Sequence, residues 1–497
     1  MLGVIAAGFF GVRADWPMYR GPSGNGVSTE RIRTDWNANP PQLLWRTQLT
    51  NGLSSLSVSG GRVFTQVRTG STTAGAEYCV ALDARTGEFL WTAPVGQAKY
   101  DYPNNAIAVR DGPRSTPAVA GDRVYVLGSY LNLVCLNATN GQTIWAKDLR
   151  SQFGGGVIAW QNAASPLIEG DLLLLNCNAS PSRLLALRLS DGSVAWRKLD
   201  YAMTHATPVP ATIHGVRQVI FMTQFGLVSV NPLTGEELWR SAFPYSTSTA
   251  ASPAVEDDIV YCAAAYSVGS VAVQVTQSGS TLAANALWAR RPSRMIHWST
   301  PVVTGGYVYG LYGQDQEGTA PMRCLDLRTG QDRWSQPDFG MGATLLVAGK
   351  ILALTDYGDV VWVEPDPNQY RELGRFTAVT GNCWNSPALS DGTLYIRSAA
   401  ELAAFDVSLP PPPPLRLAAT LDRVAGKVIF EVANADGEPI ADSRVAGISL
   451  RNSNNVSAPL NDWAPAGVAL TLQSGKLRGE LELPAGESAV FFAVKEN

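Results

Sequence analysis

Six residues of this chain have side chains suited to gripping a ligand and fall at or beside one repeat position: Arg114, His205, Trp298 and Trp384 on it, His297 and Asn385 one step away. Histidine is scarce, with three copies in 497 residues, and two of them fall in this set. Together the six offer a cation, two imidazoles, two indoles and an amide, the mixture expected where polar and aromatic groups converge on a concave face. The same set also suits a structural role, with Trp298 and Trp384 plugging a channel and Arg114 and His205 binding loop carbonyls. Two carboxylates stand nearby in register, Asp315 in Gln314-Asp315-Gln316-Glu317 and Asp356 in Asp356-Tyr357-Gly358-Asp359. A carboxylate there would hold Ca²⁺ or act as a general base, or serve the turn alone. The chain contains no HExxH, no paired-glutamate spacing and no Ser/His/Asp order that would mark a hydrolase.

The register comes from an internal repeat, which has to be read before anything else. One pattern is a strand, a polar position, Thr-Gly or its equivalent, then Trp four residues after the Gly. It appears as VALDARTGEFLW, VCLNATNGQTIW, LALRLSDGSVAW, VSVNPLTGEELW and RCLDLRTGQDRW, with degenerate copies at Trp288 and Leu373. A second pattern, Ser/Thr-Pro followed by an apolar stretch and a Gly/Asp turn, lies about thirty residues before each Trp. STPAVAGDRVYVLG from Ser115 and STPVVTGGYVYGL from Ser299 are two of its eight copies. Successive units therefore read as four short strands repeating every 39 to 54 residues, the period of propeller blades.

The expected fold is all-β, an eight-bladed β-propeller. The last unit lacks its Thr-Gly-Trp strand, and PQLLWRTQL around Trp45 supplies it, so the N-terminal strand closes the ring and removes an open edge. The residue two before each Ser/Thr of the second pattern then rings the channel mouth, which puts Arg114, His205, Trp298 and Trp384 there, with His297 and Asn385 beside them. The Thr-Gly turns lie on the opposite face.

Domain boundaries follow. Residues 1–14, MLGVIAAGFFGVRA, read as a secretory leader with small residues before a cleavage site. The propeller spans 15–408, and LPPPPPL makes 409–414 a stiff polyproline linker. Alternating strands over 415–497 suit a small β-sandwich. The insertion GQAKYDYPNNAIAVRDGP (96–113) is placed to lid the mouth.

Composition narrows the partners. A net charge of −4 with 16% charged residues excludes a nucleic-acid binder, which needs a clustered cationic surface. No segment beyond the leader is apolar enough to span a bilayer. The expected state is an exported monomer, periplasmic or extracellular. The six cysteines form no CxxC or CxxCH, so metal or haem attachment by those motifs is out. Cys135 and Cys324 share a repeat position four blades apart, too far to bridge, and free, buried thiols are expected.

The repeats LDARTGEFLW and LDLRTGQDRW resemble those of pyrroloquinoline quinone (PQQ) propellers, a superfamily that holds quinoprotein alcohol dehydrogenases and an outer-membrane-assembly lipoprotein. The start DWPMYRGPSGNGVS and the segments GPRSTPAVAGDRVYVLG and HGVRQVIF are similar to exported PQQ-repeat propeller proteins. Over residues 15 to 408 the resemblance implies the propeller fold. It also implies two functions. One is a binding scaffold offering its loop face and channel mouth to a protein or small-molecule ligand. The other is a PQQ- and Ca²⁺-dependent alcohol or sugar dehydrogenase, with Trp298 or Trp384 as the cofactor floor and Arg114 as a contact. This chain lacks the adjacent cysteines of those dehydrogenases.

Overall fold

The computed structural model describes residues 15–101, 111–243, 249–288, 291–314, 318–422, 424–453, 455–482 and 490–496. The leader, the core of the 96–113 insertion and Asp315 lie outside them. The chain divides into two compact units, Ala14–Leu409 and Pro410–Asn497.

Among the described residues the first unit holds eight sheets whose consecutive strands pair antiparallel, spanning 57–98, 118–148, 167–198, 209–242, 254–286, 302–336, 343–377 and 388–406. In the eighth, Gln42–Gln48 pairs with Glu401–Asp406 and completes the four strands, as the N-terminal closure requires. We number these blades one to eight in chain order.

The repeat has a direct physical cause. In four blades an Asp or Asn at the end of the third strand (Asp83, Asn137, Asn231 and Asp326) folds its side chain over the turn: Asp83 Oδ1 accepts the N–H groups of Arg85 and Thr86, and Asn231 Oδ1 those of Leu233 and Thr234. The glycine that follows adopts positive φ, +70° at Gly235, where a side chain is strained. The Trp of the preceding blade lies against that glycine. Trp45, Trp91, Trp145, Trp196 and Trp288 stand on Gly87, Gly141, Gly192, Gly235 and Gly330, and a Cβ at Gly235 would sit 2.5 Å from the Trp196 ring. Four of the five indole N–H groups also find a carbonyl in the neighbouring turn, as Trp196 does at Pro232 (2.8 Å) and Trp288 at Leu327 (3.0 Å), while Trp145 Nε1 is buried with no partner among the described residues. Gly and Trp of the motif are therefore partners across blades, not within one.

Three joints depart from the rule. Trp334 has no glycine to stand on, and its Nε1 donates to Asp366 O of the seventh blade at 2.8 Å. Trp239 bonds Gln218 of its own blade at 2.6 Å, because the fifth blade has no Thr-Gly turn to receive it. The seventh blade lacks its Trp, and Trp36 from the N-terminal segment packs there instead, 5.1 Å from Trp362 and 5.5 Å from Phe376.

At the inner ends of the blades the Ser/Thr hydroxyls of the second pattern sew the ring together. Ser165 Oγ accepts from Thr116 N, Thr207 Oγ1 from Ser165 N, Thr300 Oγ1 from Ser252 N, and Ser55 Oγ from Ser386 N. On the face opposite the mouth, residues 15–33 run across the ring. Trp16 bridges Val58 of the first blade, Pro17 accepts from Val119 of the second, Val27–Ser28 pairs in parallel with the seventh, and Ile32 bridges Ser408. Arg20 of this segment enters the channel and donates to the carbonyls of Thr300, Pro301 and Thr344. It is 2% exposed, and its own chain folds over it at Gly26.

All six cysteines are free and buried. In the second unit a four-stranded and a three-stranded sheet enclose one core that includes Phe430, Val432, Ile448, Leu450 and Leu477. It has the two sheets of a small sandwich.

Candidate functional site

The six candidate residues sit on the face from which the inner strands start, and the structure links most of them in one chain of contacts. His297 lies 4.6 Å from Trp298, and Trp298 lies 4.7 Å from Trp384, ring centroid to ring centroid. Trp298 Nε1 donates to Met341 O, which fixes its plane. On the other side His297 meets the edge of Tyr266 at 5.2 Å, and Tyr266 stacks on Trp160 at 6.4 Å and 20°. Trp160 belongs to the connection between the second and third blades, Tyr266 to the central hairpin of the fifth. Five rings thus arch over the mouth from one sector of the ring to another.

Arg114 anchors the near end. Its guanidinium grips both Asp111 oxygens at 2.8 and 2.7 Å, donates to Trp160 O and lies over the Tyr100 ring at 5.8 Å. Tyr100 in turn donates to Glu77, a fully buried carboxylate that also accepts from Ser129 N at 2.9 Å. Burial raises the Glu77 carboxyl above the ordinary range against these bonds. Arg114 is therefore a neutralised post that ties the insertion to the roof loop, rather than a free cation.

His205 is placed differently from the expectation of an open mouth residue. It is 7% exposed, and its Nδ1 is buried with no partner among the described residues. Burial first, then the Arg114 charge and His297, pull its pKa from 6.5 down to about 3. The imidazole is neutral at physiological pH. The sign of the linkage follows: between pH 6.5 and about 3 the unfolded chain takes up the proton and the folded one does not, so stability is present above that window and is lost as pH falls through it. His205→Gln should remove this loss. In urea titrations from pH 7.5 to pH 4.5, wild type should weaken relative to the variant by on the order of 3 kcal/mol. A gap between the two that does not change with pH would contradict the assignment.

Asn385 is 3% exposed, and neither amide atom has a partner among the described residues; the buried Trp384 Nε1 also has none. Asp356 does not stand as an open base or calcium ligand. Its two oxygens accept from Gly318 N at 3.1 and 3.0 Å, and one also from Met341 N at 3.1 Å, so the carboxylate clasps two loops. Among the described residues no three His, Cys, Asp or Glu side chains converge in a metal-binding group. No described helix is long and apolar enough to cross a membrane.

Trp160, Tyr266 and Asp111 are the site residues that the repeat register does not reach: Trp160 and Asp111 lie in connections between blades, and Tyr266 in a central hairpin whose length and letters differ from blade to blade. The signal that points to the first is local: Gly154-Gly155-Gly156 just ahead of Trp160.

The ring of sheets, the Trp-on-Gly joints and the closing strand define a β-propeller of the PQQ-repeat type. Residues 75–336 and 244–370 match the family model described as outer membrane protein assembly factor BamB. The chain belongs to that family. It is similar to the outer membrane protein assembly factor BamB of Yersinia pestis, 24% identical over 386 residues, covering 73% of this chain and 88% of that one. To the protein of the same name from Moranella endobia it is 25% identical over 270 residues, 49% of this chain, and it spans only 62% of that relative's length. Two solved structures share the fold. BamB from Moraxella catarrhalis has a TM-score of 0.50 at 14% identity, covering 74% of this chain and 97% of that one. The quinohemoprotein alcohol dehydrogenase from Comamonas testosteroni has 0.53 at 13%, covering 83% and 84%.

The described residues do not fit PQQ. That cofactor is a flat ring system bearing several carboxylates, and it needs an open aromatic face and free cations. Trp298 is flanked by His297 at 4.6 Å and Trp384 at 4.7 Å, Arg114 is neutralised by Asp111, and His205 is held neutral.

Proposed function

We propose that this chain is an exported, non-catalytic propeller that binds a protein partner in outer-membrane assembly through its aromatic mouth. The observation that carries the reading is the arch of five rings, Trp160, Tyr266, His297, Trp298 and Trp384, on one face. Trp160, Tyr266, His297, Trp298 and Trp384 are all half-buried, neither core nor fully solvated. Aromatic groups beside an arginine, with few free charges, are the composition of an interface centre. Support for the class of partner comes from the relatives, which are named as outer membrane protein assembly factors. A periplasmic location follows from the same reading.

Photocrosslinking tests it. Benzoylphenylalanine in place of Tyr357 or Ser267, both exposed on the mouth face, should give a discrete adduct with the same envelope protein when the chain is expressed in its host. Leu233, 71% exposed on a Thr-Gly turn of the opposite face, should give none. Adducts from Leu233 and not from the mouth would overturn the proposal.

A further inference from the structure

Asp356 is connected to both indoles at the centre of the mouth. Its carboxylate accepts from Met341 N at 3.1 Å, and the carbonyl of the same Met341 accepts from Trp298 Nε1. Its own backbone carbonyl accepts from Cys383 N at 2.9 Å, and the next residue along the chain is Trp384. Two short routes thus run from one aspartate to a pair of rings 4.7 Å apart at 43°. The three residues come from separate parts of the chain. Trp298 lies ahead of the sixth blade, Trp384 ahead of the eighth, and Asp356 in the central hairpin of the seventh, between Lys350–Leu354 and Asp359–Val363.

The backbone around the carboxylate is shaped to admit it. Met341 stands between Gly340, at φ +68°, and Gly342. A Cβ at Gly340 would fall on the Asp356 carboxylate, and one at Gly342 on the Leu354 carbonyl. Only glycine on both sides lets the Met341 peptide lie this close. Gly318 N adds bonds of 3.1 and 3.0 Å from the hairpin of the sixth blade, and the whole residue is 6% exposed. Backbone N–H groups donating to a carboxylate make stronger bonds than they make to a neutral acceptor. An aspartate that served only its own turn would bond within it, as Asp83 does with Arg85 and Thr86. Asp356 instead reaches across to Gly318 and Met341.

We propose that Asp356 is the positioning residue of the aromatic mouth: it sets the plane of Trp298 through Met341 and the seat of Trp384 through Cys383, and so fixes the spacing of the two indoles that the partner meets. Indoles held in place before contact bind at a lower entropic cost than mobile ones. This deepens the reading above and rests on it only for the partner, since the spacing belongs to the free chain.

The test uses the full chain. Two indoles this close couple as an exciton pair, which circular dichroism detects, and the Trp298–Trp384 signal is the part of the spectrum lost in Trp384→Phe. In Asp356→Ala that part should shrink at least twofold, so that adding Trp384→Phe changes little. Gly340→Ala keeps the carboxylate but forces a methyl against it, and should have the same effect. Asp356→Asn, equal in shape with one acceptor oxygen fewer, replaces the alanine variant if that one does not fold, and its signal should shrink too. Gly235→Ala weakens the ring on the opposite face and should keep the full signal, which separates positioning from loss of stability. Adduct yield from benzoylphenylalanine at Ser267 should follow the signal, at least threefold lower in the Asp356 and Gly340 variants and unchanged in Gly235→Ala. A full signal in the Asp356 and Gly340 variants overturns the proposal, and so does a signal that falls equally in Gly235→Ala. The two readings fail separately: a full signal with strong mouth adducts removes the positioning role alone, whereas a diminished signal with no adduct in wild type removes the partner alone.

Discussion

Trp196→Ala is expected to cost about 3–5 kcal/mol of stability, the range for emptying a large aromatic site in a packed core. The side chain is 6% exposed, closes the joint between third and fourth blades, and bonds Pro232 O at 2.8 Å. Gly235→Ala should cost about 2–4 kcal/mol by a different route, through left-handed backbone and a methyl forced into the same indole. The two should not add. With the indole gone the added methyl has room, and the double variant should be more stable than the sum of the singles predicts by about 1–2 kcal/mol. Urea denaturation of the four proteins measures the cycle. Strict additivity would mean that the glycine is kept for its φ alone and that the cross-blade contact does not explain the repeat.

The second large effect is expected at Arg20. Its guanidinium is a buried cation whose hydrogen-bond partners are all carbonyls, those of Asn25, Thr300, Pro301 and Thr344. Desolvation pulls its pKa down to about 10, so it stays charged. Truncation to Ala leaves those carbonyls dry at about 1–3 kcal/mol each, offset in part by no longer burying the charge. The net loss should be about 2–4 kcal/mol, and it should be local first. Limited proteolysis should cut within residues 15–33 of Arg20→Ala while the ring is still folded. A variant as resistant as wild type would show that the segment is held by Trp16, Trp36 and the strand at Val27–Ser28 without its arginine.

These two residues mark what a reader of the sequence can and cannot see. Trp196 is visible because the same Trp-on-Gly contact recurs around the ring, and each recurrence imposes the same pair of letters on the chain. The closing strand at Trp45 is visible for the same reason. Arg20 is not, since its partners lie 280 and 324 residues away and nothing about DWPMYRGPS shows that it enters a channel. The site divides likewise. His205, His297, Trp298 and Trp384 fall at or beside the register position, and the last three join in one run of ring contacts, while His205 is buried. Trp160 sits on a connection between blades and Tyr266 in a hairpin whose letters do not repeat, so neither is marked by the register. Asp356 looks like a free acid in a turn, yet its fate is set by two backbone N–H groups from other loops.

The central claim is that this propeller engages a protein through the aromatic mouth. Hydrogen exchange on the full chain, alone and with its crosslink-identified partner, tests it most directly. The account predicts slowed exchange at residues 154–162, 264–268, 295–299 and 380–386, and no change in the Thr-Gly turns of the opposite face. Protection confined to those turns, with the mouth loops exchanging as before, would contradict it.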